Sequence, residues 1–239
     1  MDLLYEGKAK KIFSTDHPGE FLMVFKDDAT AFNGEKLAQF ENKGRINKQL
    51  TVLLYQALEQ AGVPTHFIRE VDDISLLVKP VEIISIEYVV RNIVAGSLAK
   101  RTGQPEGHVL SQPLIEFYYK EDALGDPMIN LEHIREMQLA TPDELEEMRR
   151  QALLVNTTLQ ELFGKAGIKL VDFKLEFGRV LPGKTEIVLA DEISPDTCRL
   201  WDAETHEKMD KDRFRRDLGD MMSYYADVLQ RLEAVSSTS

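Results

Sequence analysis

One cysteine, Cys198, is all that 239 residues contain, so an intrachain disulfide and a cysteine-based zinc site are both excluded. No apolar run approaches the roughly 18 residues of a membrane-spanning helix. The opening Met1–Glu6 also lacks the basic and apolar regions of a secretory signal. A cytoplasmic location is therefore expected. His17, His66, His108, His133 and His206 show no metal-ligand spacing. Neither a Walker-type phosphate loop nor a dinucleotide fingerprint occurs, so any nucleotide site must use another architecture. Repeats and low-complexity linkers are missing too, and only the polar tail Ser236–Ser239 reads as disordered.

Basic residues are in deficit, 29 against 41 acidic, for a net charge of −12. Such a surface repels nucleic acid and anionic membranes as a whole. An anionic ligand must then meet a local basic cluster working against the global field. Hydrophobic content of 43% and a length that buries roughly 70–75% of the unfolded chain's surface describe an ordinary globular core.

Short strands dominate the first third. Leu3–Tyr5 and Ile12–Phe13 flank the basic tip Gly7-Lys8-Ala9-Lys10-Lys11, and Phe21–Phe25 is a further strand. A helix is expected over 47–61, stopped by Gly62 and Pro64, followed by strands near 66–70 and 74–79. Pro80 breaks the pattern and reads as a connection between lobes. Thr141-Pro142-Asp143-Glu144 opens a helix with a capping box, and Leu145, Met148, Ala152, Val155, Leu159 and Leu162 give it a core-facing stripe. A last helix is expected over 212–234, with Phe214, Leu218, Met221, Tyr225, Val228 and Leu232 facing inward. The fold class is α+β.

The segment Leu170–Gly178 carries the sharpest signal. Alternation puts Val171, Phe173, Leu175 and Phe177 on one face and Asp172, Lys174 and Glu176 on the other. A solvated outer face would explain the charged row. The next strand, Glu186–Glu192, follows a hairpin turn over 181–185. A two-residue loop at Gly183-Lys184 would set Glu176 opposite Asp191, whereas a longer loop or a bulge at Gly178 would shift that register. Two carboxylates brought together share a proton or hold a cation. Beside a phosphate-binding feature, magnesium is the favoured cation, since it needs one or two carboxylates plus phosphate oxygens and water.

Gly7-Lys8-Ala9-Lys10 fits a hairpin over nucleotide phosphates, though a solvated lysine tip would look the same. Arg91 ends a strand over 86–90, and Ser97 opens a short helix over 97–101. A serine-capped helix start beside an arginine suits phosphate, and equally describes a plain turn and cap. The polar loop Asp191–Arg199 reads as a site rim, with Arg199 available to the same clamp. Cys198 within it has no histidine nearby in sequence and reads as a bystander.

Taken in order, these segments resemble the SAICAR synthetase (phosphoribosylaminoimidazole-succinocarboxamide synthase) family over essentially the whole chain. The resemblance rests on Gly7–Lys10, on Glu87–Arg91 running into Ala95-Gly96-Ser97, on Asp172–Gly178, and on Asp191-Glu192 with Ser194-Pro195-Asp196 and Arg199. Cys198 stands where small hydroxyl residues or glycine are more usual.

The resemblance implies an ATP-dependent ligase joining L-aspartate to carboxyaminoimidazole ribonucleotide through an acyl phosphate. It also implies two lobes. Residues 1–80 would form a β-rich ATP-binding lobe, distantly like those of kinases and ATP-grasp enzymes. Residues 81–239 would form an α+β substrate- and metal-binding lobe with a C-terminal helix. Carried over, Gly7, Lys8 and Lys10 would meet ATP phosphates, and Lys79 would lie near the adenine. Glu176 and Asp191 would hold magnesium, and Arg91, Ser97 and Arg199 would grip the ribonucleotide phosphate. Lys120, which would also meet ATP, Asp126, Asp172 and Lys174 would serve catalysis, and Lys211 and Asp212 substrate binding. A homo-oligomer is common in the family. A small-molecule kinase and a non-catalytic nucleotide-binding regulator are the competing readings.

Overall fold

A computed structural model describes residues 1–31 and 35–237. Thr238 and Ser239 of the polar tail lie outside the described residues, and the last helix runs through Ser236.

Five antiparallel strands form the first sheet. β1 (Leu3–Glu6) and β2 (Lys10–Ser14) make the lysine-tipped hairpin, followed by β3 (Phe21–Phe25). β4 (Asp28–Ala31) pairs separately with β5 (Lys36–Gln39). After α1 (Lys43–Gln60), β6 (Phe67–Glu70) and β7 (Ser75–Val78) complete the order β1-β2-β3-β7-β6. Pro80 separates β7 from β8 (Val81–Ile93), the first strand of the second sheet.

That sheet adds α2 (Gly96–Thr102), β9 (Val109–Tyr119), β10 (Met128–Ile129), α3 (Leu131–Glu136), α4 (Pro142–Lys165), β11 (Ile168–Val180), β12 (Ile187–Ala190) and β13 (Cys198–Asp202) in chain order. Its strands run β10-β9-β8-β11-β12, with β13 also paired to β11, and every pairing is antiparallel. The chain closes with α5 (Asp212–Arg215) and α6 (Met221–Ser236).

The main core lies between the second sheet and helices α1, α4 and α6. Leu50, Leu54 and Leu58 of α1 pack there with Tyr88, Phe173, Phe177, Leu159 and Val228. Val52, on another side of α1, packs against Met23, Phe25 and Leu76 of the first sheet. One helix therefore serves both cores.

Three of the differences from the sequence expectation have a clear physical cause. α1 begins at Lys43 rather than Asn47, because the Gly44 amide donates to Asp27 Oδ1 (2.9 Å), a cap supplied from 17 residues away. A side chain on Gly44 would meet the Phe25 carbonyl at 3.0 Å, so glycine permits this close approach. The final helix is broken. Asp217, Gly219 and Asp220 adopt positive φ, and Arg213 donates to the Leu218 and Gly219 carbonyls at the break. Leu218 is consequently exposed rather than part of the stripe. Third, β11 spans 13 residues, extended at both ends by pairing with β8, β12 and β13. The Thr141/Glu144 capping box is present as expected.

Candidate active site

β8 and β11 run side by side with Asp172 opposite Arg91, Lys174 opposite Val89 and Glu176 opposite Glu87. Alternation on both strands puts Glu87, Arg91, Asp172, Lys174 and Glu176 on one face. Tyr88, Val90, Phe173, Leu175 and Phe177 fill the core behind it. β9 extends the charged face with Glu116 and Tyr118, opposite Val89 and Glu87. The charged row on β11 is thus one rank of a polar sheet face, and Asp172 and Glu176 in it are buried.

The expected pairing of Glu176 with Asp191 is off by one. Glu176 lies opposite Ala190, because residues 181–186 form a longer loop closed by Val180 N–H to the Glu186 carbonyl (2.9 Å). Asp191 follows the strand with φ +63°, so it leaves the alternation. Tyr55 of α1 donates to the carbonyls of Ala190 (2.9 Å) and Asp191 (3.0 Å) and holds the turn. Both carboxylates still reach the same lysine. Lys174 Nζ is 2.5 Å from Glu176 Oε1, 2.9 Å from Glu87 Oε1 and 3.9 Å from Asp191 Oδ2.

Two more lysines complete this cluster. Lys10 Nζ lies 2.6 Å from both Asp191 Oδ1 and Glu192 Oε1, and Lys120 Nζ is 3.0 Å from Glu176 Oε1. Burial would raise the Asp191 carboxyl, but Lys10 and Lys174 outweigh it and hold the group below the usual carboxylate range. Burial likewise works to lower Lys174, and Glu176, Asp191 and Glu87 reverse that and hold it well above its ordinary value. In both cases the neighbouring opposite charges favour the charged form.

They line a cavity of about 590 Å³. Gly7, Lys8, Lys79 and Asp126 line it too. Lys8 Nζ pairs with Asp122 Oδ1 (2.7 Å), Lys79 lies 3.8 Å from Glu186, and Asp126 Oδ1 accepts the Glu121 N–H (2.9 Å). At another part of the wall stand Asp196, Thr197, Lys211 and Arg215.

Arg91, Ser97, Arg199, Asp172 and Asp212 are not on that wall but form a neighbouring cluster of their own. Arg91 donates to Asp172 Oδ2 (2.7 Å), Glu116 Oε2 (2.8 Å), the Ser97 hydroxyl (3.0 Å) and the Tyr118 hydroxyl (3.2 Å). Arg199 donates to Asp172 (2.9 Å) and Asp212 Oδ2 (3.0 Å). Asp172 therefore lies between two arginines. Ser97 is not the helix cap. That position belongs to Ala95, and Ser97 sits in the first turn with its hydroxyl on Arg91. Gly96, at φ +52°, leaves room for Arg199, whose Nη2 would lie 2.4 Å from a Cβ there.

Glu87, Glu192, Asp196, Thr197 and Arg215 were given no individual role in the sequence reading, although Glu192, Asp196 and Thr197 lie in the loop read as a site rim and Glu87 in a motif that carried the resemblance. Glu87 was accessible to it, since it shares strand parity with Arg91. Arg215 is the last residue of α5 and lines the wall. Cys198 is buried, and burial raises its thiol well above the ordinary value, as suits an inert residue. Among the described residues no group of three or more His, Cys, Asp or Glu side chains forms a ready metal cage. None of their helices is long and apolar enough to cross a membrane.

Residues 3–232 match the family description SAICAR synthetase. The phosphoribosylaminoimidazole-succinocarboxamide synthase of Akkermansia muciniphila is 54% identical over 233 residues, covering 98% of this chain and 99% of the relative. Its Bacillus subtilis counterpart is 50% identical over 234 residues, covering 98% and 96%. The crystal structure of the Ehrlichia chaffeensis synthase superposes with a TM-score of 0.95 at 46% identity, covering 98% and 99%. A SAICAR synthetase solved in complex with ADP gives 0.91 at 49% identity, covering 95% and 96%.

Proposed function

The chain belongs to the SAICAR synthetase family, and from that premise we propose how its cavity carries out an ATP-dependent ligation in purine biosynthesis. L-aspartate is joined to carboxyaminoimidazole ribonucleotide, with ATP converted to ADP and phosphate. The observation that carries the assignment of roles is the convergence of Lys10, Lys120 and Lys174 on Glu176 and Asp191 inside one cavity. Phosphoryl transfer chiefly requires positioning and neutralisation of charge. Three ammoniums and two carboxylates supply the groups for both.

Lys8 and Lys10, carried by the β1–β2 hairpin, bind ATP phosphates, and Gly7 permits the backbone to approach them. Lys79 flanks the adenine at the link between the two sheets. The division into an ATP-binding lobe over 1–80 and a substrate lobe over 81–239 belongs to the same reading. Arg91, Ser97 and Arg199 hold the ribonucleotide phosphate, with Asp172 and Asp212 fixing the two guanidinium planes. Lys211 lies on the substrate side. Lys174 and Lys120 meet the anionic oxygens of the reacting groups, and Asp126 secures the turn that carries Lys120.

The γ-phosphoryl group passes to the substrate carboxylate. The aspartate amine then forms the C–N bond as the C–O bond to phosphate breaks. Phosphate leaves with the electron pair and the amine sheds its proton. Glu176 and Asp191 offer hard oxygen donors that fit magnesium, a cation completed by phosphate oxygens and water. Bound there, it would neutralise phosphate charge. A homo-oligomer is part of the same proposal.

The test is ADP release with magnesium, ATP and carboxyaminoimidazole ribonucleotide, with and without L-aspartate. Release that needs both co-substrates is expected, and release indifferent to aspartate would overturn the ligase assignment. Carboxylate oxygen-18 recovered in the phosphate is the expected mark of the acyl phosphate, and unlabelled phosphate would remove that step.

A further inference from the structure

Lys43, the first residue of α1, is 0% exposed, a place where lysine is rarely found without a partner. Its Nζ lies 2.6 Å from Asp196 Oδ2, itself buried. Tyr225 donates to the other oxygen, Asp196 Oδ1, at 2.7 Å. Asp196 is thus occupied from behind the cavity wall, by α1 and α6. On the cavity side Lys211 Nζ stands 3.8 Å from the same Oδ2, beyond direct hydrogen-bond length. Arg215, the next cation on this wall, donates to Asp212 at 2.7 Å.

The charge arithmetic is informative. Lys43 and Lys211 share a single carboxylate, so one ammonium is in excess. Lys43 holds the short contact and is sealed from solvent, so the excess charge falls to Lys211, which lines the cavity and retains 13% side-chain exposure. Burial lowers the Lys211 ammonium against the pull of Asp196 and, more weakly, of Glu192, and Lys43 and Arg215 lower it further. A partly buried ammonium without its own counter-ion is a site for an anion.

We propose that Lys43 is a positioning residue, which neutralises Asp196 from within the protein and so leaves Lys211 free to take a carboxylate of a substrate other than ATP. The inference rests on the ligase reading above. The carboxylate belongs either to the ribonucleotide or to aspartate, and separate titrations of the two distinguish them. Without Lys43, the buried Asp196 has Lys211 as its nearest cation. Lys211 then closes the 3.8 Å gap and is withdrawn from the substrate.

The experiment measures steady-state kinetics of K43M and K43M/D196N against the unmodified protein, with thermal melts to confirm folding. K43M is expected to raise KM for one of the two carboxylate substrates about tenfold or more, leaving kcat and the KM for ATP within about threefold. The double variant lacks the carboxylate that would capture Lys211, so its KM is expected to return to the unmodified value. A merely structural lysine would lower stability without this rescue. Unchanged KM in K43M overturns the proposal. So does a raised KM in K43M/D196N, a result readable even if K43M alone does not fold. Failure of the ligase reading would be separate, since the unmodified protein would then show no aspartate-dependent turnover.

Discussion

Single side chains in the cavity are set by partners far away in sequence, and their replacement should be felt in chemistry before stability. Glu176→Gln and Asp191→Asn keep the shape but remove an anionic oxygen each. Either is expected to lower turnover roughly a hundredfold or more, with the melting temperature changed little. Near-normal turnover in both would end the metal-ligand assignment. His66 shows the opposite balance. It is buried edge-on to Tyr55, 5.7 Å between centroids, and burial pushes its pKa down to about 4. A depressed folded-state value means that the contribution is present above about 6.5 and lost as pH falls toward 4. The window also contains Asp210, pushed up to about 7 by burial and Asp212, whose contribution runs the other way. The informative quantity is therefore the stability of His66→Gln minus that of the unmodified protein. That difference should move in favour of the variant by up to about 3 kcal/mol as pH falls from 7 to 4. A pH-independent difference would mean that His66 does not titrate in this range.

Elements deliver those side chains, and the most exacting delivery is made by α2. Its first residue, Gly96, combines φ +52° with the Arg199 guanidinium packed where a Cβ would go. Gly96→Ala carries a backbone cost of about 1–2 kcal/mol for the left-handed conformation and must also push Arg199 aside. The expected outcome is a KM for the ribonucleotide raised by about tenfold or more, with the KM for ATP unaffected. An equal loss for both substrates would indicate general misfolding instead. The helices also differ in where their signals come from. α4 starts on its own local box, in which Thr141 accepts from Glu144 N–H (3.2 Å) and Glu144 accepts from Thr141 N–H (2.8 Å). Glu144 then also binds Arg179 of β11 (2.5 Å), which ties helix to sheet. α1 starts on Asp27, and no local pattern predicts that start.

For the molecule as a whole, α1 is the shared member. Leu50, Leu54 and Leu58 belong to the large core, and Val52 to the core of the first sheet. Loosening either sheet exposes part of the same helix, so both should unfold together. Helical circular dichroism and the fluorescence of Trp201, on β13 of the second sheet, are expected to give coincident thermal transitions. Two resolved transitions would show that the sheets unfold independently. The net charge of −12 also gains meaning at this scale, since Lys10, Lys120, Lys174 and Lys211 offset the carboxylates that line the same cavity, which therefore does not share the acidic excess of the protein.

What the sequence by itself determined follows from short-range rules. Alternation on β11 separated Phe173, Leu175 and Phe177 from Asp172, Lys174 and Glu176, because a strand's side-chain period is fixed by its backbone. The α4 cap and its apolar stripe were equally local, and the order of motifs was enough to suggest the family. Tertiary structure alone decided what the charges are paired with. The 181–186 loop shifted Glu176 from Asp191 to Ala190, and the positive φ of Asp191 returned it to the site. The burial of Lys43 on Asp196 has no local signature at all. Ion pairing depends on distance through space, and a buried charge is tolerated only where the fold supplies its partner. Periodicity along one chain carries no information about that.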